Sequence, residues 1–325
     1  MEGTMSTYFR FLTKTQAREI FRSLGTRIGP IAIILVFVIS LMGVNTYKAR
    51  AAGNTYYVDN TNSSCSDSNA GTSSSLPFCT ISRGAAVAVA GDTVNVLHGT
   101  YAETVYPSSG TAGSPITFHA SSGVTVTGSS TGFGAGFAID TQSYVVVDGF
   151  NTYQTHDYGF YVYGSNHITL SNNHVSYAGH GNSADTEAIY LNSTTNSTIT
   201  GNTVSYSTHD GIHLINGSNN NTISNNVSFA NSTGSGDAVG IELNGSSYNT
   251  LSHNMTYGNE DSGINLYPTS TGTPSTYNIV VGNLSYGNGD HGIADHPGFL
   301  IFFCNQMFEL RRRKASYQER LGHQR

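Results

Sequence analysis

Two offset series of apolar positions recur along most of the chain. In the first, an aliphatic residue is followed three places later by asparagine, at Leu170/Asn173, Ile199/Asn202, Ile223/Asn226, Leu251/Asn254 and Val280/Asn283. An aromatic residue follows each pair, at Tyr177, Tyr206, Phe229, Tyr257 and Tyr286, and the asparagines lie 29, 24, 28 and 29 residues apart. The second series is Ile189/Leu191, Ile212/Leu214, Ile241/Leu243 and Ile264/Leu266, with Phe160/Val162 as an earlier member and Ile293 opening a later one. Its alternation is that of a strand buried on one face.

Short strands separated by Gly, Asn and Ser turns, repeating every 20 to 30 residues or so with no helical pattern between them, predict a solenoid of parallel strands. Each coil then stacks on the last at about 4.8 Å. The asparagines become a hydrogen-bonded ladder at a turn, the aliphatics become interior columns, and the aromatics stack.

The ends of the chain differ from its middle. Arg10, Lys14, Arg18, Arg22 and Arg27 precede an uncharged run from Ile31 to Val44, and Ala49-Arg50-Ala51 follows. This is the order of an export signal, so residues 1–52 are expected to send the protein to the cell surface or beyond. The apolar run is shorter than the ~20 residues of a spanning helix, and both a cleaved signal and an anchor through residues 31–44 stay open. The repeat composition defines a solenoid domain over 53–298. Residues 299–325 lose the Asn/Gly/Ser bias and carry six of the chain's 14 Lys and Arg, which reads as a truncated or frame-shifted end or as an amphipathic cap.

Composition and charge narrow the partners. The chain has 325 residues, 38% hydrophobic and 10% charged, and no Trp. Between Asn54 and Gly298 Arg83 is the single basic side chain against 16 Asp and Glu, although the whole chain carries only −6. Nucleic acid and anionic lipid both demand Lys and Arg clusters and are excluded as partners of this region. A polyanionic sugar would need a bridging cation. Cys65 and Cys79 bracket a Ser/Gly-rich loop in an exported segment and are expected to form a local disulfide, whereas Cys304 has no evident partner.

The stretches "PFCTISRGAAVAVAGDTVNVLHGTYAETV" (Pro77 to Val105) and "SGTAGSPITFHASSGVTVTG" (Ser109 to Gly128) resemble the amino-terminal cap and first coils of pectate-lyase-like right-handed parallel β-helix proteins. The similarity is nearest to the group of chondroitinase-B-type and family 9 pectate lyases. The Asn-rich coils are similar to the general repeat seen also in mannuronan epimerases. The resemblance spans Asn54 to Gly298 and implies an all-β fold, a single-stranded right-handed parallel β-helix with a short amino-terminal capping helix, here over Ser82 to Ala90. It also implies a polysaccharide partner and a monomer. That scaffold carries lyases, epimerases, hydrolases and non-catalytic adhesins, so activity has to be sought in particular residues.

Those residues are the outward positions, which vary among otherwise similar coils. If Ile and Leu of each Ile-x-Leu point inward, the residue between them points out, giving the column Tyr161, Tyr190, His213, Glu242, Asn265 and Ala294 at spacings of about 5 Å. His213 is the expected proton-transfer group, Glu242 its orienting carboxylate and Tyr190 the partner acid or base, with Tyr161, Asn265 and His209 against the substrate. A second stripe lies before the glycines. Asp185, Glu187, Asp210 and Asp237 are candidate ligands for calcium, which takes six to eight oxygens, although Asp and His in such strings are also ordinary turn formers.

Without a Lys base in the coils, the surviving chemistries are β-elimination or C5 epimerisation with a His or Tyr base, or hydrolysis by paired acids among Asp210, Asp237 and Glu242. "GHG" at Gly179 to Gly181 resembles a polygalacturonase motif without its companions. A non-catalytic surface protein that binds glycans is the competing class.

Overall fold

The computed structural model describes residues 53–180, 186–233 and 237–289, with the backbone of three further strands at Ile293–Asp295, Ile301–Phe303 and Phe308–Leu310. The described strands form three parallel sheets of ten, nine and seven members. One coil contributes a strand to each in turn, as in Asn166–Ser171, His174–Ser176 and Ile189–Asn192, and the next strand, Thr198–Thr200, returns to the first sheet. Every pairing between named strands is parallel and joins neighbouring coils, which makes the body a parallel β-helix.

The corner between first and second sheets explains the asparagine series. Asn172, Gly201, Asn225, His253 and Gly282 all have φ between 54° and 67°, the left-handed region that turns the chain sharply. The asparagine that follows each points inward. Its backbone N–H and Nδ2 donate to Oδ1 of the next: Asn173 to Asn202 (2.9 and 3.0 Å), Asn202 to Asn226 (2.9 and 3.0 Å), Asn226 to Asn254 (3.0 and 3.0 Å) and Asn254 to Asn283 (2.8 and 2.9 Å). The ladder begins at Phe150, whose N–H donates to Asn173 Oδ1. Two further ladders stand at the other corners, Asn221–Asn249–Asn278 and Asn231–Asn259–Asn288.

The interior columns run unbroken through the stack. Phe160, Ile189, Ile212, Ile241 and Ile264 are fully buried, as are Leu170, Ile199, Ile223 and Leu251. Each such side chain contributes roughly 1.5–3 kcal/mol by leaving water. In the early coils the interior is filled by Phe78, Phe118, Phe137 and Phe150, and on the second sheet it turns polar at Ser228, Thr256 and Ser285. The outer aromatics stack as the repeat predicts, Tyr177 on Tyr206 at 4.9 Å, Phe229 on Tyr257 at 4.9 Å and Tyr257 on Tyr286 at 5.2 Å. Tyr206 meets Phe229 edge-on because Phe229 ends its strand whereas Tyr206 lies one residue past it.

The capping helix forms at Ile81–Val87, shorter than the expected Ser82 to Ala90 because Ala88 is already extended at ψ 135°. Thr80 Oγ1 accepts from Arg83 N–H, and the Glu103 carboxylate accepts from the N–H groups of Ile81 and Ser82, so three otherwise unpaired donors of the first turn are satisfied. Ile81, Gly84 and Ala85 face the core beside the outermost strand of the first sheet, Thr55–Val58, and so close that end. Cys65 and Cys79 are joined by a disulfide across a separation of 14 residues.

The parallel pairing continues past the compositional boundary at Gly298, with Ile301–Phe303 against Asn278–Val281 and Phe308–Leu310 against Leu284–Tyr286. Among the described residues no helix is long and apolar enough to cross a membrane, and the expected signal at 1–52 lies outside them.

Candidate functional site

The third sheet places the varying column in register. Tyr161 lies opposite Tyr190, Tyr190 opposite His213, His213 opposite Glu242, and Glu242 opposite Asn265. The column is nevertheless not open to solvent along its length: His213 is 6% exposed, Glu242 8% and Asn265 1%. The segments entering the third sheet fold side chains over it. Those entry segments also vary in length, 177–188 and 230–240 being long where 206–211 and 258–263 are short.

Glu187, two residues before its strand, and His209 and Asp210, just before Gly211, close around His213. His213 Nδ1 lies 2.9 Å from Glu187 Oε1, a hydrogen bond, and 3.3 Å from Asp210 Oδ2. His209 Nδ1 lies 3.2 Å from Asp210 Oδ2 and 3.6 Å from Glu187 Oε1. On its other edge, His213 Nε2 faces Glu242 Oε1 at 3.9 Å, beyond hydrogen-bond range. Asp210 Oδ1 accepts from the N–H of Val239 at 2.7 Å, which fixes the carboxylate. Glu187 Oε2, His209 Nδ1, Asp210 Oδ2 and His213 Nε2 are buried without a hydrogen bond of good geometry.

The charges in this cluster hold one another. Burial opposes ionisation of Glu187, but contact with His209 and His213 prevails and holds its carboxyl down to about 2. Burial likewise opposes the imidazolium of His209, yet Asp210 and Glu187 raise it to about 11, and Glu187 and Asp210 raise His213 to about 9. Glu242 goes the other way: burial and then the Asp210 charge push it up to about 7 against the pull of His213 and His209. The result is two cationic imidazoles between two carboxylates, with a third carboxyl able to gain or lose a proton near neutrality.

An aromatic platform adjoins the cluster. Tyr190 meets His213 edge-on at 5.7 Å and stacks on Tyr158 at 5.1 Å and on Tyr161 at 5.8 Å. Phe133 packs edge-on against Tyr161 at 5.0 Å, and Tyr163 lies beyond at 6.3 Å. The Tyr190 hydroxyl accepts from Asn192 Nδ2 at 3.1 Å, and burial together with the Glu187 charge raises its pKa, so the phenol is a proton donor rather than a base.

The expected calcium ligands are only partly assembled. Glu187 and Asp210 come together, Asp237 is exposed and outside the group, and Asp185 lies outside the described residues. In place of Asp237 the structure brings in His209 and His213, which the repeat pattern assigns to substrate and to proton transfer. Phe133, Tyr158 and Tyr163 are missing from the sequence reading. Tyr158 stands just before Gly159-Phe160, the equivalent of the other entry positions, and could have been found that way; Phe133 carries no such signal.

A family model for the right-handed beta helix region matches residues 68–228 and, again, 180–310. The chain belongs to the right-handed β-helix family. Among solved members of similar fold, pectate lyase Pel9A superposes with a TM-score of 0.57 at 18% identity, over 78% of this chain and 75% of that one. XylC, solved with xylose, gives 0.58 at 15% identity over 76% of this chain and 65% of the other. The Azotobacter vinelandii mannuronan C-5 epimerase AlgE4 A-module gives 0.48 at 12% over 62% and 65%. At these identities the right-handed β-helix fold is what the likeness establishes. No curated protein matches the chain.

Proposed function

We propose that this β-helix protein is a polysaccharide-active enzyme of the lyase or epimerase type, working on a uronate-containing glycan at the third-sheet face. The observation that carries the reading is one of register: Tyr190, His213 and Glu242 stand on consecutive coils, with stacked aromatic rings at one end of the column. Sugar rings present apolar C–H faces that fit such rings, while the acidic cluster supplies the chemistry. The pectate lyase of similar fold gives the reading a precedent in chemical class.

In β-elimination a base removes the proton at C5, alpha to the uronate carboxylate, the electron pair forms the new C4–C5 double bond, and the leaving O4 takes a proton. In epimerisation the base keeps the C5 proton, O4 stays in place, and the proton donor instead delivers a proton to C5 from the opposite face. Glu242 is the base in either scheme, Tyr190 the proton donor, and the cationic His213 between them neutralises charge that develops on the carboxylate. These roles exchange the sequence assignments of His213 and Glu242, because His213 is already clamped by Glu187 and Asp210. An exported or cell-surface location goes with this reading, on the strength of the basic-then-apolar order of residues 1–52.

The low exposure of His213 and Glu242 favours a second reading, in which the aromatic platform binds glycan without turnover. Incubating the protein and its Glu242→Gln variant with a panel of polyuronates separates the two. The enzyme reading expects ultraviolet-absorbing unsaturated uronides, or C5 inversion seen by NMR, with the variant slower by about 100-fold or more. Binding with no turnover by either protein assigns the face to recognition alone.

A further inference from the structure

We infer that Glu187, His209, Asp210 and His213 form a binding site for a divalent transition-metal ion of the Zn²⁺ class. One donor atom from each of these four residues lies within 4.8 Å of the others. The nitrogens and oxygens alternate around a ring, His213 Nδ1, Glu187 Oε1, His209 Nδ1 and Asp210 Oδ2, with successive separations of 2.9, 3.6, 3.2 and 3.3 Å. Metal–ligand bonds of about 2.0–2.2 Å place the atoms of a tetrahedral shell roughly 3.3–3.6 Å apart. The four successive separations lie in or close to that range, the 2.9 Å pair being the shortest, and all four atoms lie within 4.8 Å of one another.

Two observations point to an ion rather than to a purely internal ion-pair network. Asp210 is fully buried, yet its Oδ2 accepts no hydrogen bond, and His209 Nδ1 makes none although it sits 3.2 Å from that oxygen. Buried polar atoms left so close and so misaligned are atoms aimed at a common point. The surroundings are also those of a metal centre. The second oxygen of Asp210 is fixed by the Val239 N–H at 2.7 Å, the kind of outer hydrogen bond that orients a ligating carboxylate. His209, with 18% of its side chain exposed, gives a way in.

The donor set selects the ion. Calcium requires six to eight oxygens and has no use for imidazole, whereas two imidazoles and two carboxylates suit Zn²⁺, Co²⁺ and their neighbours. With Arg83 the only Lys or Arg between Asn54 and Gly298, no lysine or arginine stands in this cluster to take the place of the ion. The inference shares His213 with the enzyme proposal: with the ion bound, the imidazole is a neutral ligand and the ion, rather than His213, carries the positive charge of the site.

The full chain, stripped with a chelator, is to be dialysed separately against Zn²⁺, Co²⁺ and Ca²⁺ and its metal content measured. We expect about one Zn²⁺ or Co²⁺ per chain, the visible spectrum of four-coordinate Co²⁺, and a weakening of at least tenfold in Glu187→Gln and His209→Ala. No stoichiometric uptake, uptake unchanged in both variants, or preferential filling by Ca²⁺ overturns the inference. Should the variants fail to fold, the Co²⁺ spectrum of the unaltered protein decides: an octahedral spectrum or none also overturns it. A protein that binds the metal but turns over no glycan leaves this inference standing and removes the enzyme reading, and an active, metal-free protein does the reverse.

Discussion

Asn226 sits where four hydrogen bonds cross between coils. Its Oδ1 accepts from the N–H and the Nδ2 of Asn202, and its own Nδ2 donates to Ile199 O and to Asn254 Oδ1. Replacing it with alanine strands buried donors and acceptors on both sides, each expensive when unpaired. The Asn226→Ala variant is expected to lose roughly 2–4 kcal/mol in chemical denaturation. Asn216→Gly, at an exposed position with one long contact to Asn192 and with φ at 54°, which glycine adopts without strain, is expected to change stability by less than about 0.5 kcal/mol. Equal losses in the two variants would show that the ladder contributes nothing special. At this scale the chain was partly legible: the aliphatic-to-asparagine spacing exposes one ladder, while those at Asn221 and Asn231 escape because their coils offer Ser or Thr in the equivalent places, as at Ser197 and Ser207.

At the scale of the element, the glycine before each third-sheet strand is a matter of clearance. A Cβ on Gly211 would stand 2.6 Å from Gly240 O, and one on Gly240 would stand 2.5 Å from Gly263 O. The coils approach too closely there for a side chain, except where Ala188 is accommodated. Gly240→Ala is therefore expected to cost about 1–3 kcal/mol, read as a lower melting temperature, whereas Ala188→Gly costs at most about 1 kcal/mol. A Gly240→Ala protein that melts with the parent would show that the coils can separate freely. The same element shows what alternation misses. It aligns His213 with Glu242 correctly but cannot show that Glu187, His209 and Asp210 fold back over them, since entry segments of unlike length have no period to follow.

For the whole molecule, each coil touches only its neighbours, so stability should be local along the stack. The Cys65–Cys79 disulfide restrains the loop beside the capping helix, and loops of this length gain about 3 kcal/mol from such a link. Reduction is expected to raise amide exchange in the first coils, up to about the strand Gly99–Tyr101, and to leave the asparagine-ladder coils from Asn173 to Asn283 protected. Uniform loss of protection would instead mean that the solenoid unfolds as one unit. The polypeptide's strong acidity between Asn54 and Gly298 is likewise a whole-molecule property, and it bears on which partners are repelled rather than on the fold.

The amino-acid sequence by itself determined the repeat, the parallel stacking, the inward columns and the register of the third-sheet column, because a backbone that returns to the same place every coil forces the same residue types to recur. Only the tertiary structure decided that His213 and Glu242 are covered, that Glu187 and Asp210 join His209 and His213 in place of Asp237, and that Phe133 and Tyr158 extend the aromatic face. Those contacts are made by segments that differ from coil to coil, and their positions follow from packing in three dimensions, which no one-dimensional period records.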